Sequence, residues 1–553
     1  MLKYNDIISQ LSDGDKINIL CDIKNLSDKQ YRVLGIPRMN ISSFEEMCKG
    51  EIPLPTALAN TWDTELIKRV AESVCSDAIE NGVDVITLPT PKIKINPYRS
   101  AMTEDPYLSC EIIRGFAATA DRENISFALD DYSIHRDEIE WLDDVPDKRF
   151  ISEYVVAPSI ESVSSGKCTV VFKKTDIYSA NYENINTELV NEIAPSLSEG
   201  TFTVYKKVSG DDTVRCVNRG DLFLEGSSIA LEVALTRYKQ IKKGIEQASA
   251  TAEDLKYEIS QGKATSPELL DAAVDKLLEL AFTAKRRTSV SEMLKDEDIG
   301  YRATSEATVL LKNENALLPV KKGIGVCIIG EIAIGNEDRE ESLENELAIR
   351  FAEEGYTFNG YARGYGLFSD RTPELIPEAV ELAEKSDVVL LFLGLDSRRT
   401  KRAVKDSKIS IPANQQELLD VLGQKAYGKV VAILPAESMS DICMPEKCSA
   451  MLMSSMSTVS SAGALFDILT GKVSPSGKLA STLYCKTESL YARHIANKKR
   501  DKLKSGCFIG YRYYDIANTP PEFPFGHGLS YTSFAYSNIS VTNDTVYRGG
   551  LRW

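Results

Sequence analysis

Three stretches in the second half of the chain are apolar at almost every position: Gly325-Val326-Cys327-Ile328-Ile329-Gly330, Asp387-Val388-Val389-Leu390-Leu391-Phe392-Leu393-Gly394 and Val430-Val431-Ala432-Ile433-Leu434. A strand that does not alternate apolar with polar is buried on both faces, which happens when helices cover both sides of a mostly parallel sheet. Helical patterns lie between the three runs, so an α/β layer is required from about residue 311. Shorter runs with the same helix-strand alternation occupy the chain up to about residue 225: Val83–Leu88, Ile125–Leu129, Cys168–Phe172 and Thr201–Tyr205. They read as parallel βα units, for which a βα barrel is the economical arrangement.

Between these halves, over 226–310, strand signals stop. Ser266-Pro267 supplies a cap and a first-turn proline, and Val274, Leu277, Leu278, Leu280 and Ala281 form an apolar face at helical spacing. This segment is expected to be a helical linker. At 553 residues the chain exceeds what one core organises, so several domains are the expectation. From about 486 the tail is loop-rich and aromatic, and Ile539-Ser540-Val541-Thr542 begins a further strand pattern.

Charge narrows the partners. A net charge of -16 argues against nucleic acid or anionic membrane, because both need clustered positive charge. The 11 cysteines are single and odd in number, which fits reduced thiols; Cys75 and Cys327 sit among apolar neighbours and read as small core residues. With 3 histidines, His135, His494 and His527, a histidine-rich metal centre is not expected. Gly330-Glu331-Ile332-Ala333-Ile334-Gly335 lacks the glycine spacing of a pyrophosphate loop, so no nucleotide cofactor is expected either. The segment Met1–Asp6 has no secretory pattern, and a cytoplasmic protein is the expectation.

The most specific stretch is Phe508-Ile509-Gly510-Tyr511-Arg512-Tyr513-Tyr514-Asp515, followed by Phe523-Pro524-Phe525-Gly526-His527-Gly528-Leu529-Ser530-Tyr531-Thr532. It resembles the GYRYYD and FPFGxGLSYT signatures of family 3 glycoside hydrolases. Leu34–Pro37, Leu54–Ala59, Thr103–Leu108, Val309–Glu314 and Ser474–Leu479 match that family in the same order. The resemblance implies a TIM-like barrel over 1–225, the linker over 226–310, an α/β sandwich over 311–485, and in 486–553 an aromatic tail with the start of a fibronectin-III-like domain that is cut off here. The aromatics of the signature are expected to brace the sandwich against the barrel.

The same resemblance directs attention to the catalytic positions. Retaining glycosidases need a carboxylate nucleophile and a carboxyl acid/base about 5 Å apart. The family's nucleophile is the Asp of an SDW-type motif, fourteen residues before a Gly; counting back from Gly220 gives Lys206, in Val204-Tyr205-Lys206-Lys207. A protonated lysine cannot attack an anomeric carbon and repels the positive charge developing there. The family's acid/base Glu lies in a sandwich loop before an LxLPxxQ segment, here Ile409-Ser410-Ile411-Pro412-Ala413-Asn414-Gln415, and Arg402 takes its place. Arginine keeps its proton and cannot donate it. Ser43 stands for the Asp of the DGP motif, and Asp130-Asp131-Tyr132 for the KHF motif.

Substrate-cleft candidates are therefore Ser43, Arg99, Glu104, Asp105, Asp130, Asp131, His135, Tyr205 and Lys206, with no confident catalytic residue and no metal. The function expected is a β-glucosidase-related, carbohydrate-associated protein that does not perform standard retaining hydrolysis. It would bind a mono- or oligosaccharide, or act with a protein partner or as a homo-oligomer. The alternative is an active O-glycosyl hydrolase with relocated carboxylates, for which Asp211 and Asp212 lie nearest in sequence.

Overall fold

A computed structural model describes residues 2–16, 28–88, 102–129, 148–158, 168–175, 202–207, 214–218, 298–334, 342–395, 411–436, 445–483 and 508–538, apart from single positions or pairs within those ranges, together with residue 93 and a few between 271 and 282. Arg99, Asp130, Asp131, His135, Asp211, Asp212, Lys401 and Arg402 lie outside the described residues.

Two six-stranded sheets organise the chain. The first runs in spatial and chain order from β1 (Ile41–Ser43) through β2 (Val85–Leu88), β3 (Ser126–Leu129), β4 (Cys168–Thr175) and β5 (Phe202–Lys207) to β6 (Val214–Asn218). β1 to β5 are parallel, and β6 returns antiparallel to β5. Among the described residues the edge strands β1 and β6 are not paired with each other.

Helices α1 (Thr64–Glu80) and α2 (Pro106–Arg122) cover this sheet and pack together. Asp63 caps α1 by accepting from the Glu65 and Leu66 amides. Leu66, Ile67, Val70, Val74 and Ala78, at helical spacing, are buried. Gly115 sets how closely the two helices approach, since a Cβ there would lie 3.0 Å from Ile67 Cγ2.

The second sheet contains β7 (Val309–Asn313), β8 (Gly325–Ile329), β9 (Thr357–Ala362), β10 (Val388–Phe392), β11 (Val430–Pro435) and β12 (Ala450–Ser454). Its order is β7-β12-β11-β10-β8-β9, parallel except for β7. The three apolar runs become β8, β10 and β11 at its centre, with every residue buried. Helices α4 (Leu343–Glu353) and α7 (Val459–Thr470) contribute Leu347, Phe351, Leu465 and Phe466 to one core, while α5 (Ile376–Glu384) and α6 (Ala413–Ala426) contribute Ala379, Ala383, Leu418 and Leu422 to another. α3 (Ile299–Ala307) leads directly into β7. The sheet thus starts at Val309, slightly before the expected 311.

The two halves share their cores. Ala480 and Ile509 are buried in the core of the first sheet, and Ala57 in that of the second. Val274, Leu278 and Ala281, read as one helical face, are fully buried. No disulfide joins the described cysteines, and Cys48, Cys75, Cys327 and Cys448 are buried. Burial pushes the Cys327 thiol up to about 11 and the Cys448 thiol up to about 12, which suits core residues and not nucleophiles. No helix among the described residues is long and apolar enough to cross a membrane.

Leu391, fully buried at the centre of the second sheet, tests this core. Leu391→Ala is expected to lower the unfolding free energy by about 2–5 kcal/mol in a urea titration, through lost burial and the cavity left behind.

Candidate functional site

In open and barrel-like parallel sheets, ligands bind outside the carboxyl ends of the strands. Ser43 is the last residue of β1 and so lies at that end. Its hydroxyl accepts from the Glu46 amide at 3.1 Å, while its own amide donates to Glu46 Oε2 at 3.0 Å. That reciprocal pair is a capping box at the start of the short helix Phe44–Cys48. Ser42 Oγ donates to the same Glu46 oxygen at 2.8 Å. The Ser43 hydroxyl and amide are therefore both engaged in capping this helix.

Tyr205 and Lys206 lie on β5 near its carboxyl end. The backbone register sets Tyr205 opposite Lys173 of β4 and Arg215 of β6, and Lys206 opposite Lys174 and Val214. Leu129 ends β3, and Asp130 and Asp131 follow it in the sequence.

Glu104 and Asp105 are the two candidates that the described residues bring together, and both are buried. Asp105 precedes Pro106 and caps α2, its Oδ1 accepting from the Leu108 amide at 2.7 Å. Its Oδ2 accepts from the Tyr511 hydroxyl at 2.7 Å. Glu104 Oε1 accepts from Thr482 Oγ1 at 2.5 Å and from the Tyr511 amide at 3.0 Å. The backbone joins in, with the Glu104 amide and the Thr103 hydroxyl both donating to the Ala480 carbonyl.

These carboxylates thus tie α2 to α8 (Tyr511–Ala517) and to the segment around Ala480. Burial pushes the Tyr511 phenol above its ordinary range, with the Arg512 guanidinium pulling the other way and the bond to Asp105 adding to the rise. The phenol accordingly stays a neutral donor. Gly510 makes the approach possible: its φ is +54°, and a Cβ there would lie 2.6 Å from Glu104 Cδ.

Aromatic and charged contacts extend the junction. Tyr511 stacks on Phe525 with centroids 4.7 Å apart, and Trp62 meets the other side of the cluster at 5.1 Å from Phe525. Arg512 donates to Glu153 at 2.7 Å and lies 5.0 Å from the Tyr154 ring centroid. Hydrogen bonds from Arg149 and Arg512 hold the Glu153 carboxyl below its usual range. Asn60 completes the seam, its side chain accepting from the Ala480 amide and its carbonyl from the Lys478 amide.

The aromatic signature therefore braces the two halves, as the resemblance implied. Sequence reasoning did not find Asn60, Thr482 or Glu153 as partners in that brace, and it read Arg512 only as part of the aromatic signature. Asn60 and Thr482 lie close to quoted motifs and Glu153 does not, and the bonds these residues make span hundreds of residues. Among the described residues no cluster of three or more His, Cys, Asp or Glu could hold a metal.

A two-sheet α/β protein stapled through an aromatic signature is the class defined by this geometry. Residues 308–531 match the family model described as "Glycosyl hydrolase family 3 C-terminal domain". The chain is similar to thermostable beta-glucosidase B of Acetivibrio thermocellus, 29% identical over 520 residues, covering 89% of this chain and 66% of that protein. Among solved structures it resembles a Bifidobacterium adolescentis GH3 beta-glucosidase, with a TM-score of 0.70, 24% identity, and coverage of 96% of this chain and 79% of that one. Beta-glucosidase 3B from Thermotoga neapolitana in complex with glucose aligns with a TM-score of 0.66 and 18% identity over 98% of this chain and 85% of that one. At those identities the likeness speaks to the fold. The chain is thus similar to glycoside hydrolase family 3 over residues 308–531 and shares the fold of a GH3 beta-glucosidase. It spans 66% of the length of the first curated relatives it matches.

The junction makes its own forecast. Tyr511→Phe keeps the ring stack but leaves Asp105 Oδ2 without its phenol donor, and is expected to cost about 1–3 kcal/mol of stability. Gly510→Ala is expected to cost more, because strain and the collision with Glu104 add. Urea titrations of both variants against the parent check the order.

Proposed function

We propose that this chain is a family 3 carbohydrate-binding protein that does not carry out the retaining hydrolysis typical of its family. The observation that carries this reading is Lys206 on β5, near the carboxyl end of a parallel strand and opposite Lys174. By the motif count, that is the position of the nucleophilic aspartate. An ammonium there supplies no attacking oxygen and opposes an oxocarbenium-like transition state.

Three further points support it. Arg402 occupies the acid/base position in the sequence. Ser43 is engaged as a helix cap. Glu104 and Asp105 are buried carboxylates whose oxygens accept from Thr482, Tyr511 and Leu108, so they are committed to the junction and not presented to a sugar.

Within this reading, β1 to β5 belong to a TIM-like barrel spanning 1–225, followed by a helical linker over 226–310, a sandwich over 311–485 and an aromatic tail over 486–553 that opens a fibronectin-III-like region. The ligand is a mono- or oligosaccharide held at the carboxyl ends of β1 to β5. Arg99, Asp130, Asp131, His135 and Tyr205 are its candidate contacts, and no metal or cofactor takes part.

Aryl β-glucosides and β-xylosides incubated with concentrated protein test the proposal. The expected kcat/KM is at least about 10⁴-fold below that of an active relative, the scale of losing catalytic groups. Lys206→Asp alone is expected to leave the protein without efficient turnover, because the second carboxyl is still missing. Efficient turnover by the unmodified protein would contradict the proposal.

A further inference from the structure

The strands on one side of the first sheet carry an unusual charge pattern for so acidic a chain. β4 ends Lys173-Lys174-Thr175, β5 ends Lys206-Lys207, and β6 begins Val214-Arg215. None of the three strands contains an Asp or Glu, although the chain as a whole has 81 acidic residues against 65 basic ones.

Register concentrates these charges. Lys174 pairs with Lys206 as direct cross-strand neighbours, and Lys173 pairs with Tyr205, which in turn pairs with Arg215. Successive residues of a strand belong to opposite faces, so Lys174 and Lys206 share one face, while Lys173, Lys207 and Arg215 share the other. Like charges directly opposite one another across strands destabilise a sheet. Placing them at the carboxyl ends of parallel strands sets that cost where an incoming ligand can offset it.

From this juxtaposition we propose that the carboxyl ends of β4 and β5, where the register makes Lys174 and Lys206 neighbours, form an anion subsite for the negatively charged group of a sugar. The group is a carboxylate, as on a uronic acid, or a phosphate ester. The proposal rests on the reading that this cleft holds a sugar without hydrolysing it. It goes beyond that reading by assigning the basic residues a ligand of defined charge. A charge-assisted pair to an anion is stronger than a neutral hydrogen bond to a sugar hydroxyl, so discrimination against neutral sugars follows.

Calorimetric titration with glucose, glucuronate, glucose 6-phosphate and inorganic phosphate tests it on the full chain. Glucuronate or glucose 6-phosphate is expected to bind at least about 10-fold more tightly than glucose, with a preference that shrinks as salt rises. Whichever of the two acidic sugars binds identifies the source of the charge. Lys206→Gln and Lys174→Gln are each expected to remove most of the preference, and Lys206→Arg to retain it. The same two Gln variants are expected to raise the ligand-free unfolding midpoint, because each relieves a like-charge pair.

Equal affinity for glucose and its acidic forms would overturn the anion subsite, as would binding of inorganic phosphate that is unchanged in Lys206→Gln and Lys174→Gln. A lower unfolding midpoint in both Gln variants, with no anion preference in the parent, would mean that acids of the chain itself neutralise the lysines, and would also overturn it. Turnover of aryl glycosides by the parent is read separately: it defeats the proposed loss of hydrolysis, whereas equal binding without turnover defeats only the anion subsite.

Discussion

The seam between the two sheets depends on the buried carboxylate of Glu104. A charged or strongly polar group that deep is tolerated only when it is hydrogen-bonded, and here Thr482 and the Tyr511 amide both donate to Oε1 from the far end of the chain. The neighbouring Asp105 caps a helix of the first half with one oxygen and takes the Tyr511 phenol with the other. Removing any donor leaves a buried acceptor short, so the halves stay docked in one arrangement. The ring stack of Tyr511 on Phe525, and the tilted contact of Phe525 with Trp62, seal the same seam with apolar area.

That arrangement separates framework from chemistry. The motifs that fold the family are retained, from the buried strands of the second sheet to the glycine and aromatics at Gly510-Tyr511. Under the proposed reading, Lys206 and Arg402 stand at the positions of the two catalytic carboxyls, and the described junction and cores are built from other residues.

Much of the fold was legible because burial on both faces leaves a continuous apolar run, as in β8, β10 and β11. β2, β3, β4 and β5 were found from shorter versions of the same signal. β1 was not read as a strand, being three residues long and ending in two serines, nor β12, which is fully buried but lacks any β-branched residue. β9 is only half-buried and contains Gly360, and β6 returns antiparallel where the pattern of βα units leads one to expect a crossover. Of the site, motif counting offered only residue types at candidate positions, including Lys206, Arg402 and Ser43. The capping box of Ser43 with Glu46 was visible in principle as Ser-x-x-Glu. The partnership of Glu104 with Thr482 was not, because a hydrogen bond across 378 residues leaves no periodicity to read.

The cleft chemistry is tested most directly by mass. A fluorinated β-glucoside inactivator that traps the glycosyl-enzyme of retaining glycosidases requires a carboxylate nucleophile in place. Incubated with this protein and followed by intact-mass and peptide mapping, it is expected to leave the chain unmodified. A stoichiometric glycosyl adduct on an aspartate or glutamate would contradict the account.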